Sequence, residues 1–154
     1  NSGFNLRPTD INAAIGYSQF KKLNKFKKIR NDNKKKIIKF LTKSKSWDNQ
    51  FTFLQSNDKV EPSWFGFPIV LRDDLVNKKE KFLKKLNKNG IETRPIISGN
   101  FLNQPSISLY NLNSNNQKLV NCQKLEDRGF FIGLHTEPIT KDRLNFLTKQ
   151  LLEI

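Results

Sequence analysis

The spacing of apolar residues changes after Trp47, and this change constrains the fold more than any other feature of the sequence. Before Trp47, apolar side chains recur at helical spacing among lysines, which predicts two helices. After it, aromatic and β-branched runs at 51–55 and 64–71 are bounded by Asn, Asp and Pro, as is typical of strands. Because helices and short strands must bury their apolar faces against one another, we predict an α+β fold.

Further helices and strands are predicted along the rest of the chain. They are a helix from Asp73 to Asn89, a strand at 91–97, a helix at about 116–127, a strand at 129–134 and a last helix capped by Thr140. Together they predict a small, mainly antiparallel sheet with helices on one face. We divide the chain into a leading helical segment, 1–46, and a small α+β domain, 47–154.

The first helix has an unusual composition. Thr9 or Asp10 can cap it, and its predicted inner positions are Ile11, Ala14, Ile15 and Leu23. One side carries short side chains, at 12–14 and 16, which allow another backbone to approach closely. We therefore expect this helix to lie deep in a larger protein or at a subunit contact.

The formal net charge of +14 suggests a polyanion such as nucleic acid as a partner. Much of the charge lies in a stretch that begins at Lys21 and ends at Lys45, with twelve basic residues and a single acid, Asp32. The lysines fit a solvated helix face, because apolar residues recur mostly at helical spacing within the stretch, at Phe26, Ile29, Ile37, Phe40 and Leu41. We favour that interpretation and keep a nucleic-acid-binding module as the alternative function.

Cysteine and histidine are too rare for two kinds of site. Cys122 is the only cysteine and His135 the only histidine, so this chain can form neither an internal disulfide nor a multi-histidine metal site. No apolar run approaches the roughly 20 residues that span a bilayer. We therefore expect a cytoplasmic protein without a bound metal and without a membrane partner.

Three polar clusters are candidates for chemistry. They are Asn5 with Arg7, then Glu92 and Arg94 followed by Asn100 and Gln104, and finally His135 at a strand end. Glu92 and Arg94 are two apart on a predicted strand, so both side chains leave the same face. Such a pair could bind a sugar hydroxyl and a phosphate, or form an intramolecular ion pair, which the spacing alone favours. His135 could hydrogen-bond a ligand or serve the structure.

The chain contains no methionine, and it begins at Asn1, just before the segment GFNLRPTDINAAIG. Translation starts at methionine, and a secretory leader would show a basic stretch followed by an apolar run. We therefore interpret Asn1 as a truncation point and expect part of the protein to precede it.

Four segments resemble the C-terminal part of the DegT/DnrJ/StrS-type sugar aminotransferases, which are vitamin B6 enzymes of the fold type I class. They occur in the family's order and are GFNLRPTDINAAIG at 3–16, SWFGFPIVL at 63–71, GIETRPIISGNFLNQP at 90–105 and RGFFIGLHT at 128–136. The resemblance implies the small domain of a homodimeric enzyme in deoxysugar or cell-surface polysaccharide biosynthesis. The lysine that binds pyridoxal 5'-phosphate would lie before Asn1, so we expect no catalytic residue in this chain.

The resemblance also implies roles for individual residues. Asn5 would reach across a dimer interface to the cofactor phosphate of the neighbouring subunit. Glu92 would contact the pyranose, and Arg94 the diphosphate, of a nucleotide-linked 4-keto-6-deoxy sugar. This implication raises ligand binding above the ion pair as the interpretation of the two residues. Candidates for lining the same pocket are Asn100, Gln104 and His135.

The segment GIETRPIISGN resembles the 3-dehydratase branch of the family more closely than the plain aminotransferases, which tend to have an aromatic residue and a histidine there. This branch acts on substrates such as GDP-4-keto-6-deoxymannose, and a histidine replaces its cofactor lysine. That position lies outside this chain. The sequence therefore leaves both amino transfer and 3-dehydration open.

Overall fold

The computed structural model describes residues 9–56, 59–112 and 118–154. Its helices are α1 (Asp10–Phe20), α2 (Leu23–Thr42), α3 (Lys79–Lys88), α4 (Ser106–Leu109), α5 (Val120–Arg128) and α6 (Lys141–Leu152). Its strands are β1 (Phe51–Phe53), β2 (Gly66–Leu71), β3 (Thr93–Arg94) and β4 (Gly129–Gly133), and 3₁₀ helices occur at Asp73–Lys78 and Phe101–Asn103. The predicted α+β fold is confirmed.

The four strands form one antiparallel sheet in the order β1-β2-β4-β3. Side chains alternate between the two faces along each strand. Phe67 of β2 pairs with Ile132 of β4, and Ile69 pairs with Phe130, and all four side chains are buried. We call the face that carries them the core face.

Strand β3 is shorter than the predicted strand at 91–97. Only Thr93 and Arg94 pair with β4, and Pro95, which has no backbone N–H to donate to a ladder, follows them directly. Arg94 lies opposite Phe131, on the face turned away from the core, which we call the outward face. A turn follows, in which the Gly99 N–H donates to the Ile96 carbonyl at 3.0 Å.

Helices α2, α3 and α6 contribute to the core together with the sheet. Leu41 of α2 is fully buried, and α2 packs along α6. The apolar residues that these helices bury are Ile37, Leu41, Phe82, Leu86, Leu144, Leu147 and Leu151. The core therefore crosses the predicted domain division at residue 46, because the C-terminal half of α2 shares it with the sheet.

Helix α1 forms as predicted, but its expected inner positions are not buried. Thr9 caps the helix by accepting a hydrogen bond from the Asn12 N–H at 3.3 Å. Ile11 and Ile15 are 74% and 57% exposed, and no residue of α1 is buried. Within the described ranges, nothing covers the apolar side chains of this helix.

Polar contacts fix the Lys-rich helix α2 to the rest of the fold. Lys34 is buried, and its Nζ donates to the Leu54 carbonyl at 2.6 Å. The same Nζ lies 3.5 Å from the centroid of the Trp64 ring, at cation–π distance. Burial lowers the pKa of Lys34 below its usual value. Part of the basic stretch thus has an internal structural role.

Leu41→Ala should lower the free energy of unfolding by about 2–5 kcal/mol, because it leaves a cavity in the core that α2 shares with the sheet. Leu23→Ala, at the exposed start of the same helix, is the matched control and should cost less than about 1 kcal/mol. Chemical denaturation of both variants measures the difference. Equal and small effects would show that α2 lies outside the core.

Candidate functional site

Glu92 and Arg94 lie at an exposed edge of the sheet, where β3 is the last strand. The Arg94 Nε and Nη2 groups donate to Glu92 Oε1 at 2.9 and 2.7 Å, so the ion pair that the spacing favours is present. The side chains of Glu92 and Arg94 are 71% and 65% exposed. A guanidinium has five N–H donors, of which these bonds use two, so Arg94 can bind an anionic oxygen while it stays paired.

Residues 96–104, which we call loop 96–104, follow β3 and are held by two side chains of α5. The Asn100 N–H donates to Glu126 Oε2 at 2.8 Å, and Asn100 Nδ2 donates to Gln123 Oε1 at 3.0 Å. Asn103 Nδ2 donates to both acceptors at 3.0 Å. We call Gln123 and Glu126 the α5 clamp.

Asn100 is buried, and its polar groups serve the loop. Besides its two contacts with the α5 clamp, its Oδ1 accepts a hydrogen bond from the Leu102 N–H at 3.2 Å. The side chain thereby caps the 3₁₀ helix that begins at Phe101. Its role in substrate binding stays a prediction, and the role visible in the structure is to shape loop 96–104.

Gln104 lies at the end of loop 96–104 and lines a cavity of about 230 Å³. Its Nε2 donates to the Ser98 carbonyl at 3.0 Å. Ile97 lines the same cavity, whereas Asn100 lines a different one of about 470 Å³. The structure thus places two of the predicted site residues in one loop but in separate cavities.

His135 follows β4 and is exposed. Asn33 of α2 fixes the backbone there, because its Nδ2 donates to the His135 and Glu137 carbonyls at 3.3 and 2.8 Å. Loop 96–104 lies towards the other end of β4, since α5, which holds it, leads directly into Gly129. The length of β4, about 17 Å, therefore separates His135 from the loop.

Asn5 and Arg7 lie outside the described residues, so the expectations for them stay predictions. Within the ranges that the structure describes, no group of three or more His, Cys, Asp or Glu side chains could hold a metal ion. None of the helices in those ranges combines the length and the apolar character needed to cross a membrane. Arg94 fits a phosphate or diphosphate group, since its guanidinium is open to solvent and has donors to spare.

The α5 clamp is missing from the sequence-based predictions. One available signal is the i, i+3 spacing of Gln123 and Glu126, which places both on one side of a helix. The other is Gly99, where φ is +59° and an added Cβ would lie 2.8 Å from the Glu126 Cβ. Lys79 supports the same helix, because its Nζ donates to the Glu126 carbonyl at 2.7 Å, and burial lowers its pKa. The α5 clamp thus holds loop 96–104 to α5, and Lys79 holds α5 in turn.

Known proteins are similar in sequence to this chain over nearly its whole length. The family model described as the DegT/DnrJ/EryC1/StrS aminotransferase family matches residues 1–146. The GDP-4-keto-6-deoxy-D-mannose 3-dehydratase of Escherichia coli O55:H7 is 33% identical over 149 residues, which are 97% of this chain and 37% of that protein. The lipopolysaccharide biosynthesis protein RfbH of Salmonella typhimurium is 28% identical over 152 residues, which are 98% of this chain and 33% of that protein.

Solved structures share the fold. The E. coli GDP-4-keto-6-deoxy-D-mannose-3-dehydratase with bound hydrated PLP matches with a TM-score of 0.79 and 29% identity, over 98% of this chain and 37% of that chain. PseC of Helicobacter pylori, an aminotransferase involved in the biosynthesis of pseudoaminic acid, matches with a TM-score of 0.73. Its identity of 20%, over 99% of this chain and 39% of that chain, shows the fold alone. This chain thus spans little more than a third of the length of these relatives.

Glu126→Ala should release loop 96–104 from α5, because it removes the acceptor for the Asn100 N–H. A hydrogen bond to a charged acceptor contributes about 1.5–3 kcal/mol, so amide hydrogen exchange at Asn100 should accelerate roughly tenfold or more. The control is Glu80→Ala, which removes an exposed carboxylate paired with Lys84 on α3 and should leave this exchange rate unchanged. An unaltered rate in Glu126→Ala would contradict the clamp.

Proposed function

This chain belongs to the DegT/DnrJ/EryC1/StrS aminotransferase family, as its four segments predict, and from that premise we propose that it is part of a pyridoxal-phosphate-dependent enzyme acting on a nucleotide-linked 4-keto-6-deoxy sugar. The reaction is either transfer of an amino group to the sugar or removal of its C-3 hydroxyl. The product would enter deoxysugar or cell-surface polysaccharide biosynthesis, the process named for one relative.

One observation carries this proposal: the 33% identity, along 97% of the chain, to a GDP-4-keto-6-deoxy-D-mannose 3-dehydratase. A dehydratase of this name also has the same fold over 98% of the chain and holds PLP in its solved structure. Because this chain spans 37% of the relative's length, we assign the residue that reacts with the cofactor to a part of the enzyme beyond these 154 residues.

We assign substrate binding to Glu92 and Arg94. Arg94 would donate to the diphosphate with the N–H groups that Glu92 leaves free, and Glu92 would accept from a pyranose hydroxyl. The ion pair holds both side chains on the outward face, so the ligand meets groups that are already oriented. Gln104 and His135 remain candidates near opposite ends of β4, and Asn100 would act by shaping loop 96–104.

Asn5 is the residue of this chain that we assign to the cofactor. In a homodimer, its neutral amide would donate to the cofactor phosphate of the neighbouring subunit without changing the local charge. When bound, pyridoxal phosphate supplies an electron sink for the bond changes in the sugar. To the described residues we assign the binding and orientation of the nucleotide-linked sugar.

The alternative of a nucleic-acid-binding module finds no support. The relatives are named for nucleotide-sugar and lipopolysaccharide chemistry, not for nucleic-acid binding. Two lysines of the basic stretch also have partners within the chain, because Lys34 is buried against Trp64 and Lys27 pairs with Glu61 at 2.6 Å. The basic surface of α2 is better explained by solvation and by these contacts.

The complete gene product that contains these residues should convert GDP-4-keto-6-deoxymannose in the presence of pyridoxal phosphate and an amino donor; glutamate is the first to test, since it is trapped on PLP in the solved structure of a GDP-4-keto-6-deoxymannose-3-dehydratase. Mass spectrometry of the sugar product distinguishes the two reactions, since amino transfer replaces the keto oxygen by an amino group and dehydration removes the C-3 oxygen. If neither this substrate nor its dTDP-linked counterpart changes, the proposed function is wrong.

Arg94→Lys and Glu92→Gln should each raise the Michaelis constant for the nucleotide sugar. Lysine keeps the charge but lacks the paired donors of a guanidinium, and glutamine lacks the carboxylate. Loss of one charge-assisted hydrogen bond, worth about 1.5–3 kcal/mol, corresponds to a rise of roughly 10- to 100-fold. Steady-state kinetics measures it, with Glu80→Gln in the exposed Glu80–Lys84 pair as the control. Unchanged constants in both site variants would remove the assignment.

A further inference from the structure

Ile97 combines an unfavourable backbone conformation with an exposed apolar side chain. Its φ is +46°, in the left-handed region that β-branched residues avoid. The residue is 82% exposed, more than any other large apolar residue in the ranges described. Within the part of the chain that the structure describes, neither burial nor backbone preference therefore explains an isoleucine at this position.

The surrounding loop imposes this conformation on Ile97. The hydrogen bond from the Gly99 N–H to the Ile96 carbonyl closes a turn that contains Ile97. Gln104 ties the loop through the Ser98 carbonyl, and the α5 clamp holds it from Asn100 onwards. Strained residues persist where the structure around them over-determines their conformation, and they concentrate at functional sites.

Ile97 is also close in sequence to the residues that we assign to the substrate. It follows Arg94 by three residues, at most about 11 Å along an extended chain. Between them, Ile96 packs on the outward face, since an added Cβ at Gly129 would lie 2.8 Å from Ile96 Cδ1. Ile97 and Gln104 line one cavity. The sheet edge thus carries the guanidinium of Arg94, and the loop that follows it carries the amide of Gln104 and the exposed apolar side chain of Ile97.

We propose that Ile97 is a specificity-determining residue that contacts the C-6 methyl group of the nucleotide-linked sugar, an inference that rests on the proposed function. A hexose whose diphosphate is bound at Arg94 lies within reach of the loop. The C-6 methyl is the substituent of a 6-deoxy pyranose that has no polar atom, so contact with isoleucine favours it. A hydroxyl at C-6 in contact with the isoleucine side chain would lose water without gaining a hydrogen bond from that side chain.

Two GDP-linked sugars that differ at C-6 test this inference. At C-6, GDP-D-rhamnose carries a methyl group and GDP-mannose carries a hydroxyl. Calorimetric titration of the complete, cofactor-loaded gene product gives the Kd of each sugar. We expect the unmodified protein to bind GDP-D-rhamnose roughly tenfold more tightly. Ile97→Asn and Ile97→Gly should bring the ratio close to one. Phe146→Ala, which truncates a half-exposed apolar residue on α6, should leave it unchanged.

Thermal unfolding of the same variants separates this role from a structural one. Glycine and asparagine adopt a positive φ more readily than isoleucine does, and Ile97 buries little surface. Both variants should therefore unfold at the same temperature as the unmodified protein or at a higher one, while they lose the discrimination between the sugars. A lower unfolding temperature in both variants would overturn the inference, because Ile97 would then serve the fold.

The binding data also distinguish failure of the inference from failure of the proposed function. If the unmodified protein binds the two sugars equally, or if both Ile97 variants retain the original ratio, the inference is wrong and the proposed function stands. If the unmodified protein binds neither these sugars nor their dTDP-linked counterparts, the proposed function is wrong and the inference falls with it.

Discussion

The pairing of β2 with β4 is the constraint on which the candidate site depends. Burial fixes its register, because Phe67 and Ile69 lie opposite Ile132 and Phe130 on the core face. A slip of one residue would turn these apolar side chains to solvent. Strand β3 pairs with the other side of β4, where Arg94 lies opposite Phe131 and therefore on the outward face. Burial on one face of the sheet therefore positions an exposed charge on the other.

Net charge is a poor guide to the function of α2, because polar residues of this helix are used to join parts of the fold. Asn33 is buried and accepts a hydrogen bond from the Ile139 N–H at 2.9 Å, in addition to its two bonds to carbonyls of the same loop. Lys34, the next residue of the helix, donates a hydrogen bond to the Leu54 carbonyl, just after the end of β1. Helix, sheet and the loop after β4 are thereby fixed to one another. The backbone position of His135 is fixed by Asn33, which donates to its carbonyl.

Features that depend on neighbouring residues could be predicted from the sequence, and features that depend on the folded chain could not. The cap of α6 is local, with Thr140 Oγ1 accepting from the Arg143 N–H at 3.4 Å, and the Glu92–Arg94 pair follows from a spacing of two. Strand β3 is shorter than predicted, because the apolar spacing continues to Ile97 whereas the pairing with β4 ends at Arg94. The bond from Asn100 to Glu126 joins residues far apart in sequence, so only the sheet and α5 together bring them into contact. The ligand that such a loop contacts can be proposed only from the family relationship.

Pro95 lies between the two parts of the proposed site, which are Arg94 on the sheet and Ile97 in loop 96–104. Strand β3 ends at Arg94, just before this proline, and an exposed edge of two residues offers little to another strand. The chain then leaves the sheet and turns at Ile97, where side chains of α5 determine its path. Arg94 consequently depends on the buried register of the sheet, whereas Ile97 depends on the α5 clamp. The proposed apolar contact with the sugar could therefore change through the loop or the clamp while the guanidinium stays in place, so the proposed discrimination at C-6 and the proposed binding of the diphosphate would be separable.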